Sequence, residues 1–191
     1  MTSGRDRSRR PPSRWTAAGA AVLAALTLAA LAGCGKAGSG AATAPATLSV
    51  SSATVNQNVL PARYTCHGAG INPPIDWSGA PPGTKSFALV VDDSSAPITP
   101  FIYWLVFHIA PSTTDIQEGM LPTGARQALN SNNTQPYDPP CPVGHSHWYR
   151  ITVYALSAEI DLPAGAPLQE VWTAIAAATI GRGRIVVNGN P

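Results

Sequence analysis

The sequence has little charge, and that charge is unevenly placed. Only 12% of its 191 residues are charged, with 12 Lys and Arg against 10 Asp and Glu. Residues 1–33 contain five of the arginines and one aspartate, which leaves the other 158 residues with a net charge of −2. A nucleic-acid-binding domain needs a concentrated positive surface. Residues 34–191 therefore give no indication of nucleic-acid binding, and their number suits one domain.

Several chemical motifs are also missing. The chain has no Gly-x-Ser-x-Gly segment, the nucleophile turn of many hydrolases, and no internal repeat. It has three cysteines, and neither Cys66 nor Cys141 has the Cys-x-x-Cys spacing of a structural zinc site. The sequence thus offers little support for a serine hydrolase or a zinc-stabilised fold.

The N-terminus has the pattern of an export signal. An arginine-rich start is followed by the apolar segment 17–32 and by Leu31-Ala32-Gly33-Cys34. The apolar segment is shorter than the roughly 20 residues of a membrane span. The tetrapeptide resembles the lipobox of bacterial lipoproteins, in which the cysteine is diacylated and becomes the first mature residue. The alternative is a retained signal anchor.

This resemblance implies a three-part chain. Residues 1–33 would be a lipoprotein signal peptide, with lipid such as palmitate on Cys34 holding the protein on the extracytoplasmic face of the cell membrane. Residues 34–47, rich in Ala, Gly, Ser and Thr, are expected to form a flexible linker. The folded domain is then expected to span residues 48–191.

Export bears on the other two cysteines. An even pair in an oxidising compartment usually forms a disulfide, so we expect Cys66 and Cys141 to be joined. Two alternatives remain, namely two free thiols or a metal site formed by these cysteines with His67, His145 and His147.

Hydrophobic patterning predicts a mostly β domain with one late helix. Apolar or alternating runs predict strands at residues 47–50, 86–91, 103–109, 148–156 and 184–187. Helical spacing predicts one helix over Pro167–Ile180, ended by Gly181. The Pro- and Gly-rich segments 72–83, 94–100, 110–124 and 136–144 are predicted to be long connections.

Three blocks of sequence resemble one known family. They are the segment 72–77 (NPPIDW), the segment 93–97 (DSSAP) and the segment 137–149, which runs from YDPPCP to HWY. Together they resemble the phosphatidylethanolamine-binding proteins, most closely the bacterial Raf-kinase-inhibitor-like branch, from about Leu48 to Val187. The resemblance implies an antiparallel β-sandwich with long loops and a peripheral C-terminal helix.

The resemblance also implies a small ligand-binding pocket. Its walls would be Asp93, Tyr103, Pro140, Pro142 and His147, and its ligand a small anion such as phosphate or a phospholipid headgroup. His147 would donate hydrogen bonds to the anion and Asp93 would orient the imidazole ring. The stiff proline-rich loop would keep the pocket formed before binding.

The chain departs from the family pattern around this pocket. Tyr103 stands where the family has a histidine, and it can donate one hydrogen bond but cannot become a cation near neutral pH. Ser94 and Ser95 replace a proline and an aspartate, Pro139 replaces a glycine, and Trp148 replaces an arginine. Asp92, next to Asp93, is expected only to close a turn after its strand.

Together these features predict a non-enzymatic binding protein without a cofactor, able to modulate partner proteins. The competing hypothesis is a hydrolase with Cys141 as nucleophile and His147 or His145 as base. A count of free thiols separates the two, because a nucleophile must be a free thiolate.

Overall fold

The structure is a computed structural model that describes residues 46–55, 57–96 and 99–191. The predicted signal peptide, Cys34 and nearly all of the predicted linker lie outside these residues. The described chain forms nine strands, a 3-10 turn at Ala62–Tyr64 and one α-helix, α1, at Leu168–Ala178. The strands are β1 Ala46–Thr47, β2 Ser49–Ser51, β3 Ile75–Ser78, β4 Ser86–Asp93, β5 Phe101–Ile109, β6 Asp115–Ile116, β7 Arg126–Gln127, β8 His147–Leu156 and β9 Thr179–Gly189.

The strands form two sheets. The larger has six strands in the order β1-β9-β8-β4-β5-β7, and the smaller has three in the order β2-β3-β6. All neighbouring strands are antiparallel except β1 and β9, which pair in parallel at the edge of the larger sheet. The prediction of a mostly β, two-sheet fold with a late helix is confirmed.

The larger sheet is buried on both faces at its centre. All eight residues of β4 are buried, which explains its continuous apolar run. On one face, Leu89 and Val153 pack against Trp77 and Ile116 of the smaller sheet. On the other, Val90 packs with residues of α1. These two layers form the core, and they fix the ends of β4 and β8 where the site lies.

The helix ends earlier than its sequence pattern predicts. It stops at Ala178, and β9 begins at Thr179 without a connecting loop. The prediction that Gly181 ends the helix is wrong, because Gly181 lies inside β9. A Cβ there would be 2.9 Å from Leu48 Cδ1, and one on Gly183 would be 2.3 Å from the Leu48 carbonyl oxygen. The two glycines let the chain at Leu48 approach β9 closely.

Short strands occur where the sequence predicted only loops. β3 lies in the predicted connection 72–83 and β6 in 110–124, where they pair through Ile75 and Ile116. Ala46, which the sequence assigns to the linker, and Thr47, where a strand is predicted to begin, pair with Gly181 and Arg182. Strands of two to four residues carry too little alternation to be found by periodicity.

Candidate ligand-binding site

The end of β4 and the start of β8 bring an aspartate and a histidine together. The strands are antiparallel neighbours, and Asp93 pairs with Tyr149 in their register. His147 therefore begins β8 beside the Asp93 carboxylate. Asp93 Oδ2 and His147 Nδ1 lie 2.7 Å apart. The Asp93 side chain is 5% exposed and that of His147 24%, so the carboxylate is buried and the imidazole reaches the surface.

The turn after β4 fixes the carboxylate. The other oxygen of Asp93 accepts a hydrogen bond from the Ser95 backbone N–H at 2.7 Å. The Ser95 hydroxyl in turn accepts the Trp148 N–H at 2.9 Å, and the Ser94 N–H donates to the Trp148 carbonyl at 2.8 Å. The two serines that replace the family's proline and aspartate thus tie this turn to β8.

Two tyrosines lie beside the histidine. The ring of Tyr149 is stacked with that of His147 at 6.2 Å and meets Tyr103 edge-on at 5.6 Å. Burial, then the charges of Asp93 and Asp138, raises the pKa of Tyr103 to about 12. Its hydroxyl therefore stays protonated and able to donate at any physiological pH.

Tyr149 has an unsatisfied hydroxyl. Its side chain is 1% exposed, and its Oη has no hydrogen-bond partner within the described residues. Burial is the main cause that raises its pKa, with smaller contributions from Tyr103 and Asp93. A buried hydroxyl without a partner costs free energy. It marks a donor in this cluster to which the described chain supplies no acceptor.

The proline-rich loop is held by a disulfide. Cys66 and Cys141 are bonded, with their Cα atoms 5.1 Å apart, and the Cys66 N–H donates to the Pro140 carbonyl at 3.0 Å. Pro140 and Pro142 are both buried. They hold the loop that precedes His147. The hydrogen bond that defines the cluster joins Asp93 to His147 and involves neither proline.

The disulfide bears on the alternatives for Cys141. Ligand atoms of Cys66, His67 and Cys141 lie within 4.8 Å of one another, but the two sulfurs are bonded to each other and are not available as thiolates. His145 stacks on His147 at 4.6 Å. Neither a metal site nor a nucleophile can use Cys141 while the disulfide is intact.

The structure thus brings Asp93, His147 and Tyr103 together around Tyr149, which the sequence analysis did not name as a site residue. Its position two residues after His147, on the same face of β8, was the signal that could have found it. Cavities of about 930 and 590 Å³ lie elsewhere in the described chain, and neither is lined by Asp93, Tyr103, His147 or Tyr149. The cluster lies at the ends of β4 and β8, where the His147 side chain is 24% exposed.

Fold and site together define a β-sandwich with a polar cluster at the ends of its central strands. The family model for phosphatidylethanolamine-binding protein matches residues 50–190. The chain belongs to the phosphatidylethanolamine-binding protein family.

Relatives and a solved structure agree with this assignment. A UPF0098 protein of Methanothermobacter thermautotrophicus is 37% identical over 132 residues, covering 66% of this chain and 87% of that protein. LppC of Mycobacterium tuberculosis is 38% identical over 129 residues, which cover 66% of this chain and 64% of LppC. LppC is named as a proposed lipoprotein.

The crystal structure of Escherichia coli YbcL, described as a member of the mammalian PEBP family, superposes with a TM-score of 0.70 at 27% identity. The match covers 75% of this chain and 98% of that one. The matched domain therefore makes up almost the whole of the YbcL chain, which folds without a further domain. Both core layers of the present chain also lie within residues 46–191, so we expect this segment to fold on its own.

No α-helix among the described residues is both long enough and apolar enough to cross a membrane.

Proposed function

We propose that this chain is a lipid-anchored binding protein on the extracytoplasmic face of the cell membrane, and that His147, Tyr103 and Tyr149 bind a small anion while Asp93 orients the His147 ring. Phosphate and the phosphate of a phospholipid headgroup are the ligands that this chemistry suits. The observation that carries the proposal is the Asp93–His147 hydrogen bond, which engages Nδ1 and leaves Nε2 for a ligand.

The hydrogen-bond donors of this cluster are one imidazole ring and two phenol hydroxyls, and none of them is a permanently charged group. Such donors suit a ligand that binds reversibly. An imidazolium can hold Asp93 through Nδ1 and donate to the anion through Nε2. The Tyr103 and Tyr149 hydroxyls are further donors, and neither donates a hydrogen bond to a carboxylate of the described chain.

The anchor is supported by the N-terminal sequence and by one relative. The lipobox-like segment Leu31–Cys34 follows an arginine-rich and then apolar segment, and the relative LppC is itself named as a proposed lipoprotein. A tethered domain would hold its site within reach of phospholipid headgroups. The hydrolase alternative needs Cys141 as a thiolate, whereas its sulfur is bonded to Cys66.

The proposal is tested by titrating residues 46–191 with phosphate and with O-phosphoethanolamine. The chain has four histidines, so the ring-proton NMR signals of His147 can be assigned by single substitutions and followed as a local readout. Hydrogen bonds to charged groups contribute about 1.5–3 kcal/mol. We therefore expect His147→Ala to weaken binding at this site by about tenfold or more, and Asp93→Asn to weaken it less.

The matched control is His67→Ala, which removes an exposed histidine away from Asp93 and should leave affinity unchanged. Equal affinity in all four proteins, or no shift of the His147 signals in folded wild-type protein, would show that the cluster is not an anion site.

A further inference from the structure

A polar cavity lies on the face of the larger sheet opposite to His147. It has a volume of about 590 Å³, and its lining includes Arg150, Tyr154, Trp172, Arg182 and Arg184. We name these five residues the arginine groove. In the pairing of β8 with β9, Tyr154 lies opposite Arg182 and Thr152 opposite Arg184. Strand register therefore places side chains from distant parts of the sequence on one surface.

The groove concentrates positive charge in an acidic domain. Residues 46–191 contain six Lys and Arg against nine Asp and Glu, and three of those six cationic side chains line this one cavity. Elsewhere, Arg63 pairs with Glu118 and Arg126 with Asp161. An even distribution of six cations over the surface would not produce such a cluster.

Two of the three guanidinium groups lack a carboxylate partner in the part of the chain that the structure describes. Arg150 donates to Asp92 through Nε at 2.9 Å and also through Nη2, so its charge is matched. Within the described residues, no carboxylate lies within 4.0 Å of Arg182 or Arg184. Arg184 Nε donates to the Thr152 hydroxyl at 3.0 Å, which orients the guanidinium. The groove therefore carries two uncompensated positive charges.

A tyrosine and a tryptophan border these charges. Tyr154 is 8% exposed, and its ring meets that of Trp172 edge-on at 5.9 Å. Burial raises the pKa of the Tyr154 hydroxyl; the charges of Arg184 and Arg182 lower it, and that of Asp92 raises it. Trp172 is 36% exposed at the rim. An exposed indole beside arginines suits a ligand with a charged head and an apolar body.

This groove is separate from the Asp93–His147 site. Asp92 and Asp93 are consecutive in β4, so their side chains point to opposite faces of the sheet. Asp92 contacts Arg150 in the groove, and Asp93 contacts His147 on the other side. The expectation that Asp92 only closes a turn is wrong, because it is buried within β4 and forms a partly buried ion pair with Arg150.

We propose that the arginine groove is a second anion site, in which Arg182 and Arg184 bind a phosphate ester group. Arginine forms paired hydrogen bonds to phosphate oxygens, and the Tyr154 hydroxyl supplies a further donor. The phosphate can belong to a membrane phospholipid headgroup or to a soluble phosphate ester. β1 pairs with β9 at Arg182, so the chain that leads back to Cys34 enters the domain beside this groove.

The test uses residues 46–191 carrying His147→Ala, so that the first site does not contribute. Calorimetry with glycerol 1-phosphate measures binding of a soluble ester. Flotation with phosphatidylglycerol–phosphatidylcholine vesicles, against pure phosphatidylcholine vesicles, measures binding of a headgroup. We expect Arg182→Gln with Arg184→Gln to weaken either interaction by about tenfold or more.

The matched control is Arg63→Gln with Arg126→Gln, which removes the same charge elsewhere and should leave binding within about twofold. Binding to anionic vesicles identifies a headgroup ligand, and binding to the ester alone identifies a soluble one; either supports the groove. An equal loss in the control variant would show non-specific charge attraction and overturn the proposal. Absence of binding to both probes by the folded His147→Ala protein would overturn it as well. Because the first site is removed throughout, these results do not depend on the anion site proposed above.

Discussion

Asp92 and Asp93 are adjacent in β4, yet each holds a cationic or protonatable side chain on a different face of the same sheet. Asp92 contacts Arg150 and Asp93 contacts His147. A slip of one residue in the β4–β8 pairing would exchange these faces and leave both carboxylates without their partners. The two pairs therefore help to fix the register, and they connect both proposed sites to one strand end.

Tyr149→Phe should stabilise the unliganded domain. The hydroxyl is buried without a partner in the described chain, and such a group costs about 1–3 kcal/mol. We expect the free energy of unfolding, measured with urea, to rise by about 1 kcal/mol. The matched variant is Tyr137→Phe, because the Tyr137 hydroxyl donates to the Tyr64 carbonyl at 2.8 Å. That change should destabilise by about 1 kcal/mol. Equal losses in both variants would show that the Tyr149 hydroxyl is satisfied.

Reduction of the disulfide should lower Tm. The bridge joins residues 75 positions apart, for which the chain-entropy model gives at most about 4 kcal/mol. For a domain of this size we expect Tm to fall by about 10 °C, measured by calorimetry with and without reductant. A Cys66→Ser, Cys141→Ser double variant should match the reduced protein and not respond to reductant. An unchanged Tm, or two free thiols in protein isolated from cells, would contradict this prediction.

Cys34→Ala tests the proposed lipid anchor. If Cys34 is the acylated residue, the variant should leave the lipid-modified membrane fraction and appear uncleaved or soluble. Detergent-phase partitioning and the mass of the N-terminal peptide measure this. The Cys66→Ser, Cys141→Ser double variant is the control, since it also removes cysteines but lies outside the lipobox. The lipoprotein assignment would be wrong if partitioning and the mature N-terminus were the same in Cys34→Ala and wild-type protein.

The central strands could be predicted from the sequence because burial on both faces leaves a strong pattern. β4 and β5 are continuous apolar runs, and β8 alternates. The first half of β9 could not, because its Gly-Arg-Gly-Arg segment has no apolar residue to mark it. Those glycines serve close contact with Leu48, which is a tertiary requirement.

The site was only partly predictable for a similar reason. Asp93 and His147 were found through the family resemblance, since 54 positions separate them and no spacing rule joins them. The missing partner of the Tyr149 hydroxyl in the described chain and the presence of Arg150 and Arg184 in one cavity depend on strand order and register. Neither property can be derived from a single segment of sequence.

Tyr103→His tests what the main departure from the family pattern does to the first site. Tyr103 has a pKa raised to about 12, so in wild-type protein it is a neutral donor throughout the physiological range. An ordinary histidine becomes mostly charged below about pH 6.5; at this position burial would disfavour that charge, whereas the carboxylates of Asp93 and Asp138 would favour it. A second cationic donor adds attraction for phosphate that a phenol cannot supply. We therefore expect phosphate affinity at low pH to rise by about tenfold over wild type, and to lose this gain as pH rises and the new histidine is deprotonated.

Titration with phosphate between pH 5.5 and 8, followed by the His147 ring signals, measures this difference in slope. Tyr103→Phe is the matched control: it removes the hydroxyl, adds no charge, and should weaken binding without changing the pH dependence. If the three proteins have the same affinity at every pH, Tyr103 does not contact the anion, and the site must be formed by His147 and Tyr149 without it.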